Sequence, residues 1–189
     1  MSSHHIIRED QEPALIVDDM GAIPRAYLHQ LLEWSPMVMT GDDALKPLQD
    51  AGIKIDVWFT RYAVEPAQDH VTVKPMGDTL IETALTELIS RGQTAATILS
   101  NDTSVRPLLL AYADRLNIVL LGNGQRIFAV KPGFSKWKPQ GEPIWLYGEA
   151  SSFVTSGLSH QGGNSYLTQN DGFYSVTFSG SYGLIGEQL

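Results

Sequence analysis

The 189-residue chain contains no cysteine. That excludes a disulfide framework, thiolate metal ligation and a Cys nucleophile. Basic residues are few: 13 Lys and Arg stand against 21 Asp and Glu, for a formal charge of −8. Such a balance gives no general attraction for nucleic acid or anionic lipid, although one Arg or a set of backbone N–H groups can still hold an anion locally. No apolar run approaches the ~20 residues that span a bilayer. The segment from Met1 to Pro13 is polar and lacks an apolar h-region, which predicts no signal peptide and a soluble cytoplasmic protein. Apolar residues make up 43% and charged residues 18%, ordinary globular material rather than a disordered chain.

The first ~120 residues alternate short apolar runs with helical periodicities. The runs at Ala14–Val17, Met37–Thr40, Asp56–Thr60, Ala95–Ser100 and Asn117–Gly122 read as buried strands. Between them, Ile23, Tyr27, Leu28, Leu31 and Leu32 fall at helical spacing, and Asp42 to Ala51 reads as a short helix stopped by Gly52. Asp78 to Arg91 carries the clearest stripe, with Asp78 as N-cap and Gly92 as stop, and Thr103 to Leu116 carries the last. Strands alternating with helices predict parallel pairing through right-handed crossovers.

Beyond Gln125 the helical stripes end, and most of the 17 glycines lie after residue 120. Short strand candidates at Arg126–Lys131, Pro143–Tyr147, Ser152–Thr155, Tyr166–Thr168, Tyr174–Phe178 and Tyr182–Ile185 point to a small all-β domain, a sandwich. The expected fold class is therefore α/β: a Rossmann-like parallel sheet with flanking helices over residues 1–123, then an antiparallel β-sandwich over 124–189.

Several features invite chemistry. Gly122-Asn123-Gly124 follows a strand, but no helix follows it, so it reads as a tight hairpin or hinge rather than a phosphate loop. Gly162-Gly163-Asn164 reads as a turn. The five histidines include no i, i+4 pair and carry no mark of a general base; His4-His5 could bind metal only opportunistically. Asp18-Asp19 and Asp42-Asp43 each end a strand. Carboxylates at that edge of a parallel sheet can hold a Mg²⁺–phosphate complex, whereas the plainer reading is one helix cap and one solvated acid. Asn101-Asp102-Thr103-Ser104 supplies an N-cap at the same edge, where a phosphate would also fit. Arg61 is the cation closest to that edge, and Tyr62 to His70 reads as a long loop.

Together these segments resemble the thiamine pyrophosphokinase family over about Ala14 to Ile185. The run Met37 to Leu48, with Gly41-Asp42-Asp43-Ala44, is similar to the family's strand and acidic Asp-Gly-Ala segment. Ala51 to Val57 is similar to the lead into its acidic motif, Thr79 to Leu85 to its Thr-Asp helix start, and Ala95 to Leu116 to its next strand and helix. Gly141 to Leu158, with Thr155-Ser156-Gly157-Leu158, resembles its thiamine-holding β-domain. The resemblance implies transfer of a diphosphoryl group from ATP to the thiamine hydroxyl with Mg²⁺, in a homodimer with ligand sites near the subunit interface. It places Asp42 and Thr79 at the nucleotide or phosphate, where the sheet-edge reading adds Arg61, Asn101 and Asp102, and Thr155 and Ser156 at the thiamine-like ligand.

The chain departs from the family where the metal chemistry lies. The Gly-Asp-x-Asp-Ser loop reads Thr60, Arg61, Tyr62, Ala63, Val64. The Asp of the Thr-Asp pair is Leu80, and the Arg-x-Asp-His group falls on Val105, Arg106, Pro107 and Leu108. Asp42 and Thr79 remain, with Asp56 just outside the loop. Loss of one metal carboxylate commonly costs ~10²-fold in rate. The expectation is a non-catalytic homologue that binds a small phosphate-bearing, nucleotide or thiamine-like ligand, with Mg²⁺ and ATP as cofactors only if the family activity is retained. The alternatives are an active diphosphokinase with a rearranged metal site built on Asp18, Asp19, Asp42 or Asp43, and a structural dimer subunit.

Overall fold

The computed structural model describes residues 12–63, 70–148 and 153–189. His4, His5, Ser152 and most of the expected loop from Tyr62 to His70 lie outside the described residues. The chain divides into two compact units, Met1–Asn101 and Asp102–Leu189.

The first unit is a five-stranded parallel sheet. Its strands are β1 (Ala14–Val17), β2 (Val38–Thr40), β3 (Val57–Thr60), β4 (Thr72–Pro75) and β5 (Ala95–Leu99), in the order β5-β1-β2-β3-β4. Every residue of β1 and β2 is buried, as a strand covered on both faces requires. Three helices connect the strands: α1 (Arg25–Leu32), α2 (Asp42–Asp50) and α3 (Leu80–Ser90). On α3, Ile81, Ala84, Leu85 and Leu88 are buried at helical spacing. The start of α3 corrects the sequence reading. Thr79, not Asp78, is its N-cap: the Thr79 hydroxyl accepts the Glu82 amide at 3.2 Å and donates to the Glu82 carboxylate, also at 3.2 Å. The threonine hydroxyl thus satisfies one of the free N–H groups of the first turn, which Asp78 does not.

Strand β4 is not marked by the apolar pattern. It is short, half-exposed and ends in Pro75, and it pairs on one side only, with β3. An edge strand of this kind carries no buried run to announce it.

The second unit opens with a 3₁₀ turn (Thr103–Val105) and α4 (Arg106–Ala111), shorter than the expected helix to Leu116; beyond Tyr112 the chain tightens into turns. Its strands are β6 (Asn117–Gly122), β7 (Gln125–Val130), β8 (Phe134–Lys138), β9 (Pro143–Tyr147), β10 (Val154–Ser156), β11 (Leu158–Gly162), β12 (Ser165–Thr168), β13 (Gly172–Thr177) and β14 (Gly183–Gln188). Six run antiparallel in the order β11-β12-β9-β14-β7-β6, and β10-β13-β8 form a separate antiparallel sheet. Both contribute to one apolar cluster: Ile144, Leu146 and Ile185 from the larger set, Tyr174 and Val176 from the smaller.

The compositional change at Gly122–Gly124 falls inside this second unit, because β6 pairs with β7 and α4 packs against both. Asn123 and Gly124 have φ of 50° and 70°, the paired left-handed conformation of a two-residue hairpin turn. Gly162-Gly163-Asn164 likewise forms the turn between β11 and β12.

Candidate functional site

In a parallel sheet, ligands gather where successive connections leave one strand in opposite directions. Here β1 is followed by β2 on one side, while β4 leads through α3 to β5 on the other. The crevice therefore belongs at the carboxyl ends of β1 and β5. Asp18 and Asp19 follow β1, Ser100 and Asn101 follow β5, and all four are joined. The amides of Asp18 and Asp19 both donate to the Leu99 carbonyl at 3.0 Å. The Ser100 hydroxyl donates to Asp18 Oδ2 at 2.6 Å, and Asn101 Nδ2 donates to Asp19 Oδ2 at 2.8 Å. The other oxygen of Asp19 accepts the Gly21 amide at 2.7 Å.

Asp42 stands at the tip of β2, in the first turn of α2, where a carboxylate complements the helix dipole. Its Oδ1 accepts the indole N–H of Trp58 at 2.9 Å. Gly41, just before it, is closely packed, since a Cβ there would lie 3.2 Å from Met76 Cε and 3.3 Å from Leu80 Cδ2. The Thr40 hydroxyl donates to the Val17 carbonyl at 2.9 Å and fixes the tip of β2 against β1.

Arg61 follows β3 and is exposed. Its Nη2 donates to the carbonyls of Gly77 and Asp78, at 3.2 and 2.6 Å. The guanidinium thus pins the segment that leads into α3 and brings Arg61 beside Thr79, whose hydroxyl is engaged in the helix cap. Asp42, Arg61, Thr79 and Asn101 all sit at strand tips on the same edge of the first unit. Asp56 does not. It precedes β3 at the opposite edge, accepting the Val38 amide at 2.9 Å and pairing with Lys54 at 2.7 Å.

The remaining candidates belong to the second unit. Asp102 caps the 3₁₀ turn; the Ser104 hydroxyl, at 2.6 Å, and the Ser104 amide, at 2.8 Å, hold its carboxyl below the ordinary carboxylate value. Thr155 and Ser156 lie on β10, opposite Val176 and Ser175 of β13, with Thr155 half-buried and Ser156 exposed. Glycine is required just after them, because a Cβ on Gly157 would meet the Phe173 carbonyl at 3.0 Å and its φ is +73°.

Two side chains that the sequence reading did not single out shape these regions. Trp58 is one, since its indole occupies the Asp42 carboxylate. Arg106 is the other: its guanidinium lies 4.2 Å from the centre of the Tyr147 ring, and its Nε is buried with no hydrogen-bond partner among the described residues. Tyr147 donates its hydroxyl to Gln125. Burial pushes that phenol up, while Arg106 and Gln125 pull against the rise. Arg106 hides in sequence because it opens a helix otherwise made of Pro, Leu and Ala. Trp58 hides because a Trp in a strand reads as core.

Magnesium sets its own demand. It takes near-octahedral oxygen ligands, usually one or two carboxylates together with substrate phosphates and water. At these tips each of the three inward carboxylates already accepts from a neutral donor, and Asp19 does so through both oxygens. Among the described residues no three His, Asp or Glu side chains gather as metal ligands. No preformed cage of three protein ligands for a divalent cation therefore stands at these tips among the described residues.

No family model matches the sequence, and no curated protein matches it. The structure is similar to solved thiamine pyrophosphokinases. The Bacillus subtilis enzyme aligns at 15% identity with a TM-score of 0.65, over 93% of this chain and 98% of that one. The Candida albicans enzyme aligns at 8% identity with a TM-score of 0.67, over 96% and 90%. The yeast enzyme aligns at 10% identity with a TM-score of 0.67, over 96% and 87%. The chain has a divergent thiamine pyrophosphokinase-like fold.

Proposed function

We propose that this chain is a non-catalytic thiamine pyrophosphokinase-like protein that holds a small phosphate-bearing ligand at the carboxyl edge of its parallel sheet. In this reading the first unit is Rossmann-like and nucleotide-binding, the second is a β-sandwich whose Thr155 and Ser156 meet a thiamine-like group, and the protein is a cytoplasmic homodimer. The observation that carries the reading is the state of the strand tips. Asp18, Asp19 and Asp42 are each engaged by an uncharged donor, and the tip of β3 presents Arg61. Diphosphoryl transfer depends on positioned cations that neutralise developing charge. A guanidinium beside the crevice repels a divalent cation and attracts phosphate directly. Arg106, with its unpartnered Nε, offers the second unit a matching donor for an oxyanion.

Calorimetry with ADP and with inorganic pyrophosphate, each with and without Mg²⁺, tests this. We expect binding that needs no Mg²⁺ and weakens about tenfold in Arg61→Ala, the size of a charged hydrogen bond. Binding that requires Mg²⁺ and survives Arg61→Ala contradicts the reading.

A further inference from the structure

The opposite edge of the first unit carries a groove of about 750 Å³, within the size range of small-molecule sites. It opens where β2, β3 and β4 begin and where α1, α2 and α3 end. Its floor is apolar, formed by Leu32, Met37, Val38, Ile53 and Val57. Its walls carry Lys54, Arg91, His29 and His70 against a single carboxylate, Asp56. With His counted neutral, as in the chain's formal −8, the lining holds two cations, Lys54 paired with Asp56 and Arg91 paired with Glu87.

Cations near helix C-termini are commonly explained as partners of the helix dipole. Here the helix ends are also closed by backbone. The Gly52 amide donates to the Gln49 carbonyl at 2.9 Å and the Gly92 amide to the Ile89 carbonyl at 3.0 Å, with φ of 69° and 74° at the two glycines. Arg91 commits only its Nε, to Glu87 at 2.6 Å, and its Nη groups carry no hydrogen bond among the described residues. Asp56 is satisfied by the Val38 amide and Lys54 and so leaves its side of the groove neutralised. Ser35, which lines the groove, has φ of 51° and closes the end of α1 by donating its amide to the Leu32 carbonyl at 3.0 Å.

We propose that this groove is a second ligand site, separate from the carboxyl edge, for an organic oxyanion: a phosphate monoester or a carboxylate with an apolar body. The Nη groups of Arg91 meet the oxyanion, the Lys54–Asp56 pair lies beside it, and the floor of Leu32, Met37 and Ile53 meets the body. This inference does not rest on the function proposed above.

The test is an amide NMR titration of the full chain with inorganic phosphate, phenyl phosphate and benzoate. We expect saturable shifts at Ser35, Lys54 and Thr72, with the better of the two phenyl compounds about tenfold tighter than inorganic phosphate. Tighter phenyl phosphate assigns a phosphate ester, and tighter benzoate assigns a carboxylate; both support the site. Lys54→Gln/Arg91→Gln should weaken binding at least tenfold, and the single Arg91→Gln several-fold, while Arg61→Gln leaves these shifts unchanged. Absence of saturable groove shifts at millimolar probe overturns the proposal. So do shifts that persist unaltered in Arg91→Gln, or shifts confined to the carboxyl edge.

Discussion

The strand-tip carboxylates of the first unit and the buried carboxylate of the second are held in opposite ways. In the first, Asp18, Asp19 and Asp42 stand at strand tips and meet only neutral donors, a serine, an asparagine, an indole and a backbone amide. In the second, Glu187 of β14 is buried and meets cations: Lys136 at 2.7 Å and Lys138 at 3.7 Å, with the Tyr174 hydroxyl at 3.5 Å. A buried carboxylate paired with cations is an internal tie whose partners are fixed by packing. A rim carboxylate with neutral partners is held by hydrogen bonds alone. The difference separates residues that hold the fold from residues that face the crevice, and it shows why acidic residues at a sheet edge do not by themselves make a metal site.

Breaking the internal tie should give the largest effect. Glu187→Gln leaves Lys136 beside a buried neutral group, and we expect about 2–3 kcal/mol of lost stability by urea denaturation, less than a fully buried charge would give because Lys136 reaches solvent. Replacing both, as Lys136→Met with Glu187→Leu, should return most of it. A single substitution without effect would erase the contrast between the units.

The same cluster gives an alkaline signature. Burial first, then the Glu187 carboxylate and its hydrogen bond, push the Tyr174 phenol above its ordinary 10.0. The folded state therefore holds this proton more tightly than the unfolded state. The stabilisation is complete below pH 10 and is lost as pH rises above it. Urea midpoints measured across that range should fall, and Tyr174→Phe should flatten the fall. A variant that falls as steeply as the parent would place the titration elsewhere.

At the crevice the effects should be smaller. Trp58→Phe removes the donor to Asp42 but keeps an aromatic ring, and we expect about 1 kcal/mol of lost stability. A loss as large as that of Glu187→Gln would mean that the rim carboxylates are also structural ties. The smallest effect belongs to Glu87, whose carboxyl is held below its ordinary 4.5 chiefly by the Lys74 hydrogen bond and also by Arg91. Its contribution is present above that value and lost as pH falls below it. Glu87→Gln should therefore reduce the acid sensitivity of the urea midpoint below pH 4.5, slightly but measurably.

Much of the chain up to Gly122 is legible from periodicity. The strands Ala14–Val17 and Asn117–Gly122 coincide with the apolar runs, and the other three buried strands fall within a residue or so at each end. Elements hidden from that pattern are those whose stability comes from pairing: β4 on the sheet edge, β8 with its alternating lysines, and β11, mostly polar. The edge of the candidate site could also be read, because acids and an N-cap follow strands. What those acids bond to could not. The Trp58 indole on Asp42 and the Arg61 guanidinium on the Gly77 and Asp78 carbonyls join residues 16 or 17 positions apart, contacts that only the assembled sheet creates.

The most direct measurement is product formation: purified protein incubated with ATP, Mg²⁺ and thiamine, with thiamine diphosphate quantified against a protein-free control. We expect no product above the control. Turnover that disappears in Asp42→Asn would show that the strand-tip carboxylates do hold a working metal, and would contradict the account.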